Sequence, residues 1–274
     1  MKSALSKLLV VGIAIFIAAL TCGVSGPADK AGVLIIQDER PQMDVLAKFL
    51  EEKGKETVGQ APPYVTIVDQ QNLPKDLASY KAVIVFIHKE LAEPTERAII
   101  DYTKAGGRLV CLHHSISRVK AQNKFYFDFL GVQLGKGAME DGGYAYKASG
   151  WTLVNVNAQH YITNHGITWT DKVAYTCSDQ PSVEKTYPCT QLKGDSEVFV
   201  NHSFADGRNK TVLCGLIYTD KASGRTYMQD RGGWSKTQGK GTIVYLMPGH
   251  CISDYQNQIV AQMVLNAVTW DQPS

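Results

Sequence analysis

Four short, solidly apolar runs occupy the first half of the chain and leave it few folds to choose from. Ala31 to Gln37 contains the continuous stretch Val33-Leu34-Ile35-Ile36; Tyr64 to Val68, Ala82 to Ile87 and Arg108 to Leu112 follow. A strand wetted on one face alternates apolar and polar residues, whereas a strand buried on both faces reads as an unbroken apolar run. Helical patterns separate these runs. Met43, Leu46, Ala47 and Leu50 recur at helical spacing, with Gly54 as the stop signal. Pro94 suits the first turn of a second helix, which carries Ile99, Ile100 and Tyr102 and ends at Gly106-Gly107. Buried strands alternating with amphipathic helices predict a mostly parallel sheet with helices on both faces, an α/β domain of three layers.

The second half reads differently. Gly137, Gly142, Gly143 and Gly150 mark irregular chain, and Trp151 to Val156 alternates like a half-exposed strand. Val198 to Val200, Val212 to Ile217 and Thr242 to Leu246 are further strands, and a last helix spans roughly Tyr255 to Trp270. The simplest organisation is one domain over 30–272 with extra strands in its second half.

Residues 1–26 read as a leader and not as fold. Lys2 and Lys7 precede an uncharged apolar run from Leu8 to Leu20, and Gly23, Ser25 and Gly26 follow. That is a signal-peptide pattern, and it predicts export to the periplasm or the exterior. The run is shorter than the ~20 residues of a membrane helix, so no membrane span is expected in the mature chain. Lipid anchoring at Cys22 is the less favoured reading, because Thr21 sits where such sites have Gly or Ala. Without Lys2 and Lys7 the basic and acidic residues balance at 26 each. A near-neutral chain without a basic face argues against nucleic acid as a partner. Beyond Cys22, the cysteines are Cys111, Cys177, Cys189, Cys214 and Cys251. Export permits disulfides, and Cys177 and Cys189, flanking a loop with Pro181 and Pro188, are the best pair.

In an open α/β sheet, ligands bind beyond the carboxyl ends of the strands. Two apolar strands end there in histidine, Leu109-Val110-Cys111-Leu112-His113 and Val244-Tyr245-Leu246-Met247-Pro248-Gly249-His250. His88 ends the third strand, and Asp38 and Glu39 lie just past the first, where they also suit a turn or helix cap. An imidazole can serve as acid, base or metal ligand near neutral pH, but a lone strand-end histidine is more often a structural group. His114 and His160 read as surface residues. Several other chemistries are excluded. There is no G-x-S-x-G elbow, neither nucleotide-binding glycine motif occurs, and no His-x-x-x-His or Cys-x-x-Cys spacing exists. Any metal site must therefore assemble from distant segments. Cys111 lies inside its strand and reads as a buried apolar residue. The second half is rich in aromatics, among them Tyr144, Tyr146, Tyr175 and Trp234, which suit core packing or the apolar faces of a sugar.

The order of these segments resembles the ThuA-like, or trehalose-utilisation, family of the class I glutamine amidotransferase-like superfamily. The resemblance rests on Gly106-Gly107-Arg108 through His113, on Asn164-His165-Gly166-Ile167, on the loosely similar Asp171 to Tyr175, and on Gly239-Lys240-Gly241 through Gly249-His250. Departures are Gly166 in place of proline, Lys172 in place of an acidic residue, and Asp38-Glu39-Arg40-Pro41 where family members often carry a histidine. The resemblance implies a flavodoxin-like three-layer α/β/α domain linked to carbohydrate metabolism. The superfamily's nucleophilic cysteine falls at His113, so glutamine amidotransferase activity is not expected. Secreted members are often labelled glycosyl hydrolases, yet no flanking pair of carboxyl groups is identifiable.

Together these readings point to an exported protein acting on a small carbohydrate, a disaccharide or keto-sugar. His113, His165 and His250 are the catalytic candidates. The same three are the ligands if a divalent metal such as zinc is bound. Asp38, Glu39, His88, Tyr175 and Trp234 are assigned to substrate binding. Isomerisation or elimination fits such a site better than glycoside hydrolysis. The alternative is a non-catalytic carbohydrate-binding or cell-envelope interaction module on the same scaffold.

Overall fold

The computed structural model describes residues 31–58, 64–178, 183–207 and 209–271. The leader pattern and Cys22 lie outside the described residues. The chain runs β1 (Ala31–Gln37), α1 (Arg40–Val58), β2 (Val65–Asp69), β3 (Tyr80–Phe86), α2 (Glu93–Lys104) and β4 (Arg108–Leu112). It continues through α3 (Tyr126–Leu130), β5 (Val132–Leu134), β6 (Ala145–Ala148), β7 (Trp151–Asn155), α4 (Tyr161–Asn164), β8 (Asp171–Tyr175) and β9 (Lys185–Leu192). The remainder is β10 (Glu197–Val200), β11 (His202–Phe204), β12 (Thr211–Thr219), β13 (Thr226–Gln238), β14 (Gly241–Leu246), α5 (Ile252–Gln256) and α6 (Gln258–Thr269). No helix among the described residues is long and apolar enough to cross a membrane.

Ten strands form one sheet in the order β2-β1-β3-β4-β14-β13-β12-β7-β9-β8. The first five pair in parallel, as the apolar runs predict, and β13 onward pair antiparallel. The extra strands of the second half therefore mostly extend the same sheet; β10 with β6 and β11 with β5 form two small ribbons beside it. In register, Gln37 faces Phe86, Val85 faces Cys111, and Leu112 faces Leu246. The carboxyl ends of β1, β3, β4 and β14 thus finish level along one edge, which gathers Asp38, His88, His113 and His250.

Several sequence boundaries shift for identifiable reasons. Gly54 does not stop α1; a Cβ there would stand 2.6 Å from the Tyr64 ring, so this glycine serves close packing. The last helix is two helices, with Asn257 capping the second through its side chain on the Ile259 amide. β7 is buried at every position and not half-exposed. Trp151 and Leu153 pack into the main core, while Val154 faces a smaller cluster on the other side. Cys177 and Cys189 both enter that smaller cluster as separate thiols, not as the disulfide their flanking prolines suggested.

The two glycine turns that precede β4 and β14 pack on each other. A Cβ on Gly241 would meet the Thr103 carbonyl oxygen at 2.1 Å and that of Gly107 at 2.3 Å, both backbone atoms that cannot swing away. Gly241→Ala should cost about 1–3 kcal/mol of stability by overpacking. A denaturant midpoint measures that loss, and a midpoint matching wild type would contradict the packing described.

A buried polar group lies under β11. Lys210 and Lys236 pair with Asp206, and Arg231 donates to the His202 carbonyl at 2.9 Å. Neither ring nitrogen of His202 has a hydrogen-bond partner. Burial, then the charges of Arg231 and Lys210, hold this imidazole well below its ordinary pKa. The unfolded chain takes up a proton at His202 near pH 6.5, and the folded chain does not. Stability therefore falls as pH drops below that value, by about 1.4 kcal/mol per pH unit for one such group. His202→Leu should flatten this acid slope by that amount in unfolding titrations at successive pH values; an unchanged slope would contradict the assignment.

Candidate active site

β4 hands the chain to a tight turn, and His113 makes it with φ of 39°. A non-glycine residue in this left-handed region stores strain of about 1–3 kcal/mol, which persists only where surrounding contacts hold it. Those contacts come from β14. The Tyr245 hydroxyl donates to the His113 carbonyl at 3.2 Å. The ring Nδ1 lies 2.7 Å from the Met247 carbonyl. A carbonyl only accepts, so Nδ1 carries the proton, and Nε2 faces the carboxylate of Glu197 at 3.2 Å.

Two more imidazoles close around this group. His114 is 3 % exposed, with its ring 4.3 Å from that of His113 and stacked on His88 at 4.1 Å. The surface placement read for His114 is therefore wrong. The turn at His113 swings the following residue into the sheet edge. His250 lies 5.3 Å from His113 and 5.7 Å from His114 between ring centres, and its Nδ1 is 3.7 Å from Glu197 Oε2. His114 Nε2 and His250 Nδ1 are buried without hydrogen-bond partners. Burial, then the neighbouring imidazoles, hold His114 far below its ordinary pKa; burial and His113 lower His250 against the opposing pull of Glu197.

Two clamps fix these side chains. Asp254, buried, accepts on one oxygen from the amides of Gly249 at 2.9 Å and His250 at 3.0 Å, and from the Ser196 hydroxyl at 2.9 Å. It thereby ties the His250 turn to the residue before Glu197. At the end of β3, Asp38 accepts from the amides of His88 at 2.6 Å and Lys89 at 2.9 Å. From the other side the buried Lys120 ammonium donates to the carbonyls of Ile87, His88 and Lys89, and burial lowers its pKa to about 8. His88 Nδ1 then meets Glu39 Oε1 at 2.9 Å. Asp38 is thus committed to the backbone, while Glu39 orients His88.

Above the cluster opens a pocket of about 330 Å³. His88, His114, His250 and Glu197 line it together with Tyr144, Tyr146 and Phe199, and the Phe199 ring packs on His113 at 4.7 Å and on Tyr144 at 5.9 Å. Arg118 borders it, donating to the Tyr144 carbonyl at 2.9 Å. A larger hollow of about 420 Å³ beside α2 and α3 presents Arg97, Asp101, Lys104 and Asp128 but no imidazole. The smaller pocket is the one of the two that is lined by imidazoles. One ligand atom from each of His113, His114, Glu197 and His250 falls within 4.8 Å of the others, and Glu39, His88 and His114 form a second such group.

Of the sequence candidates, His113, His250, His88 and Glu39 meet here, and three do not. His165 caps the end of α4, exposed, with its ring stacked on Tyr161 at 4.5 Å. Asn266 on α6 draws in its carbonyl at 2.7 Å. The same helix ends where Arg108, the first residue of β4, donates to the Val268 carbonyl. His165 therefore sits along the helical layer toward the opposite end of the sheet and cannot share a metal or substrate with His113. Tyr175 lies on the edge strand β8 with its hydroxyl donating to Asp230 at 2.8 Å, inside the smaller cluster. Trp234 is fully buried, packed on Tyr245 and Phe204. Both aromatics are packing residues; the pocket wall uses Tyr144 and Tyr146 instead.

Glu197 went unrecognised. Its only sequence signal is a carboxylate set directly before the apolar Val198 to Val200 run. Burial raises the Cys111 thiol to about 12, and it also raises Cys251 beside Ser253, so both are held toward the neutral form. His160 caps α4 on the Ile162 amide and packs on Trp270.

The comparisons with known proteins agree with this fold. The family model for ThuA, trehalose utilisation, matches residues 33–271. No curated protein matches the chain. Among solved structures, a ThuA-like protein from Bacteroides uniformis superposes with a TM-score of 0.52 at 16 % identity, covering 89 % of this chain and 94 % of that one. The β-galactosidase of Bacillus circulans sp. alkalophilus superposes with a TM-score of 0.50 at 10 % identity, over 85 % of this chain but only 30 % of that enzyme. At such identities the likeness is one of fold.

Proposed function

The chain belongs to the ThuA, or trehalose-utilisation, family, and from that premise we propose that it is an enzyme acting on a small carbohydrate. The substrate is a disaccharide or keto-sugar, bound in the pocket between the imidazoles and the aromatic wall. The reaction is isomerisation or elimination next to a carbonyl. The observation that carries this reading is the composition of the pocket: three imidazoles and one carboxylate, Glu197, together with the aromatic rings of Tyr144, Tyr146 and Phe199. Tyr146 is 61 % exposed and offers its ring to the apolar face of a sugar. The imidazoles and Glu197 are then the groups available to the sugar's hydroxyls and carbonyl.

Glycoside hydrolysis of the usual kind needs two carboxyl groups flanking the scissile bond; Glu197 lines this pocket, while Glu39, the other carboxylate at the site, is engaged by His88 at 2.9 Å. At the elbow, His113 stands where a thiol nucleophile is required for glutamine hydrolysis. A non-catalytic carbohydrate-binding module needs the aromatic wall but gives no reason for buried, unpartnered imidazole nitrogens. Export to the periplasm or exterior is part of the proposal and rests on Lys2, Lys7 and the apolar run from Leu8 to Leu20.

The test is incubation of the purified protein with 3-keto and unmodified disaccharides, with and without added divalent metal, following both binding and product by NMR. Turnover of the keto-sugar is expected. Binding without turnover under every condition would overturn the enzymatic reading.

A further inference from the structure

We infer that His113, His114, His250 and Glu197 form a binding site for one divalent metal ion of the zinc type at the floor of the pocket. The inference rests on reading this pocket as the functional site. Its first support is spacing. Four atoms bound tetrahedrally at ~2.0–2.2 Å from one ion lie about 3.3–3.6 Å apart. His113 Nε2 and His250 Nδ1 stand 3.2 Å and 3.7 Å from Glu197 Oε2, and all four side chains bring one ligand atom each within 4.8 Å of one another, so side-chain shifts of about 1 Å close the set.

The second support is unmet hydrogen-bonding capacity. His114 Nε2 and His250 Nδ1 are buried without a partner. A buried polar atom left unpaired is destabilising, and here two such atoms belong to rings packed against each other and His113. A cation among them satisfies both at once.

The third is the surrounding shell. Metal-binding histidines commonly donate their second ring nitrogen to a carbonyl, which fixes the tautomer and aims the other nitrogen at the ion. His113 does this through Nδ1 to Met247, leaving Nε2 directed toward Glu197. Asp254 holds the backbone of His250 and, through Ser196, the start of the strand that carries Glu197. Three nitrogen donors and one carboxylate suit zinc and neighbouring first-row ions, and disfavour calcium and magnesium, which prefer oxygen alone. The ligands come from the turns that follow β4 and β14 and from the first residue of β10, which explains why no short spacing motif announces them. His114, His250 and Glu197 also line the pocket. A sugar oxygen can therefore reach the ion from that side, and the ion would polarise a bound carbonyl or hydroxyl.

The second group, Glu39 with His88 and His114, is the weaker candidate, because Glu39 and His88 already satisfy each other at 2.9 Å and His88 is half exposed.

The test uses the tag-free protein, stripped with a chelator, dialysed and titrated with zinc alone by calorimetry; metal content of the protein as purified is measured in parallel. One zinc per chain is expected. His250→Ala and Glu197→Ala should each weaken binding by about 100-fold or more, while His165→Ala leaves it unchanged. Wild-type protein binding zinc no more tightly than the His113→Ala/His250→Ala double variant would overturn the site. Where a variant fails to fold, cobalt(II) added to the stripped wild type decides. Visible ligand-field bands from a nitrogen and oxygen shell are expected, and a spectrum matching hexaaqua cobalt would refute the site. Zinc binding without sugar turnover would remove the proposed reaction and leave the metal site standing. Turnover undiminished in metal-free protein would leave the reaction standing and remove the ion's part in it.

Discussion

Glu197→Gln lowers keto-sugar turnover by about 1,000-fold and leaves the fold intact. A positioned acid or base contributes about 100- to 10,000-fold, and loss of a charged ligand acts on the same scale. The carboxylate lies 3.2 Å from His113 Nε2 and 3.7 Å from His250 Nδ1, and it lines the pocket directly. Glutamine keeps the shape and an acceptor oxygen but removes the charge. Steady-state kinetics beside circular dichroism checks this. A kcat within tenfold of wild type in a folded variant would place the chemistry elsewhere.

Asp254→Ala is the most disruptive change we expect outside the pocket itself. It leaves the Gly249 and His250 amides and the Ser196 hydroxyl without their shared acceptor. Each buried group so orphaned costs about 1–3 kcal/mol; the three are close neighbours and do not add fully, so about 3–5 kcal/mol is the expected total. The functional loss should exceed what instability explains, because His250 and the segment before Glu197 lose their common anchor together. Asp254→Asn keeps one acceptor oxygen and should recover more than half the stability. Thermal melts and kcat for the two variants separate the cases. Equal losses for Ala and Asn would mean that charge, not the three hydrogen bonds, is what Asp254 supplies.

The legible part of this fold is the part in which local pattern and burial coincide. β1, β3 and β4 are unbroken apolar runs because both faces of the parallel half are covered, and β4 runs from Arg108 to Leu112 as its sequence predicts. β13 was not legible. Asp230, Arg231, Gly232 and Gly233 break up any apolar run, yet they lie buried in its middle, beside the register shifts between β12 and β13.

The candidate site divides the same way. His88, His113 and His250 could be placed because parallel strands deliver their carboxyl ends to one edge. His114 could not, since its inward course depends on the positive φ at His113. Glu197 reaches the site through the pairing of β10 with β6, a long-range register that no local spacing encodes. His165 was misplaced for the converse reason. Its segment matched in order along the chain, but Asn266 anchors it to α6, away from the pocket.

Proton movement next to a sugar carbonyl in this pocket is read most directly by hydrogen exchange on the substrate itself, with a 3-keto-disaccharide incubated in deuterium oxide and followed by proton NMR. The signal of the carbon-bound hydrogen adjacent to the carbonyl should disappear with wild-type protein and persist with Glu197→Gln. Bound sugar whose hydrogen persists at the rate of the protein-free control, with metal supplied, would contradict it.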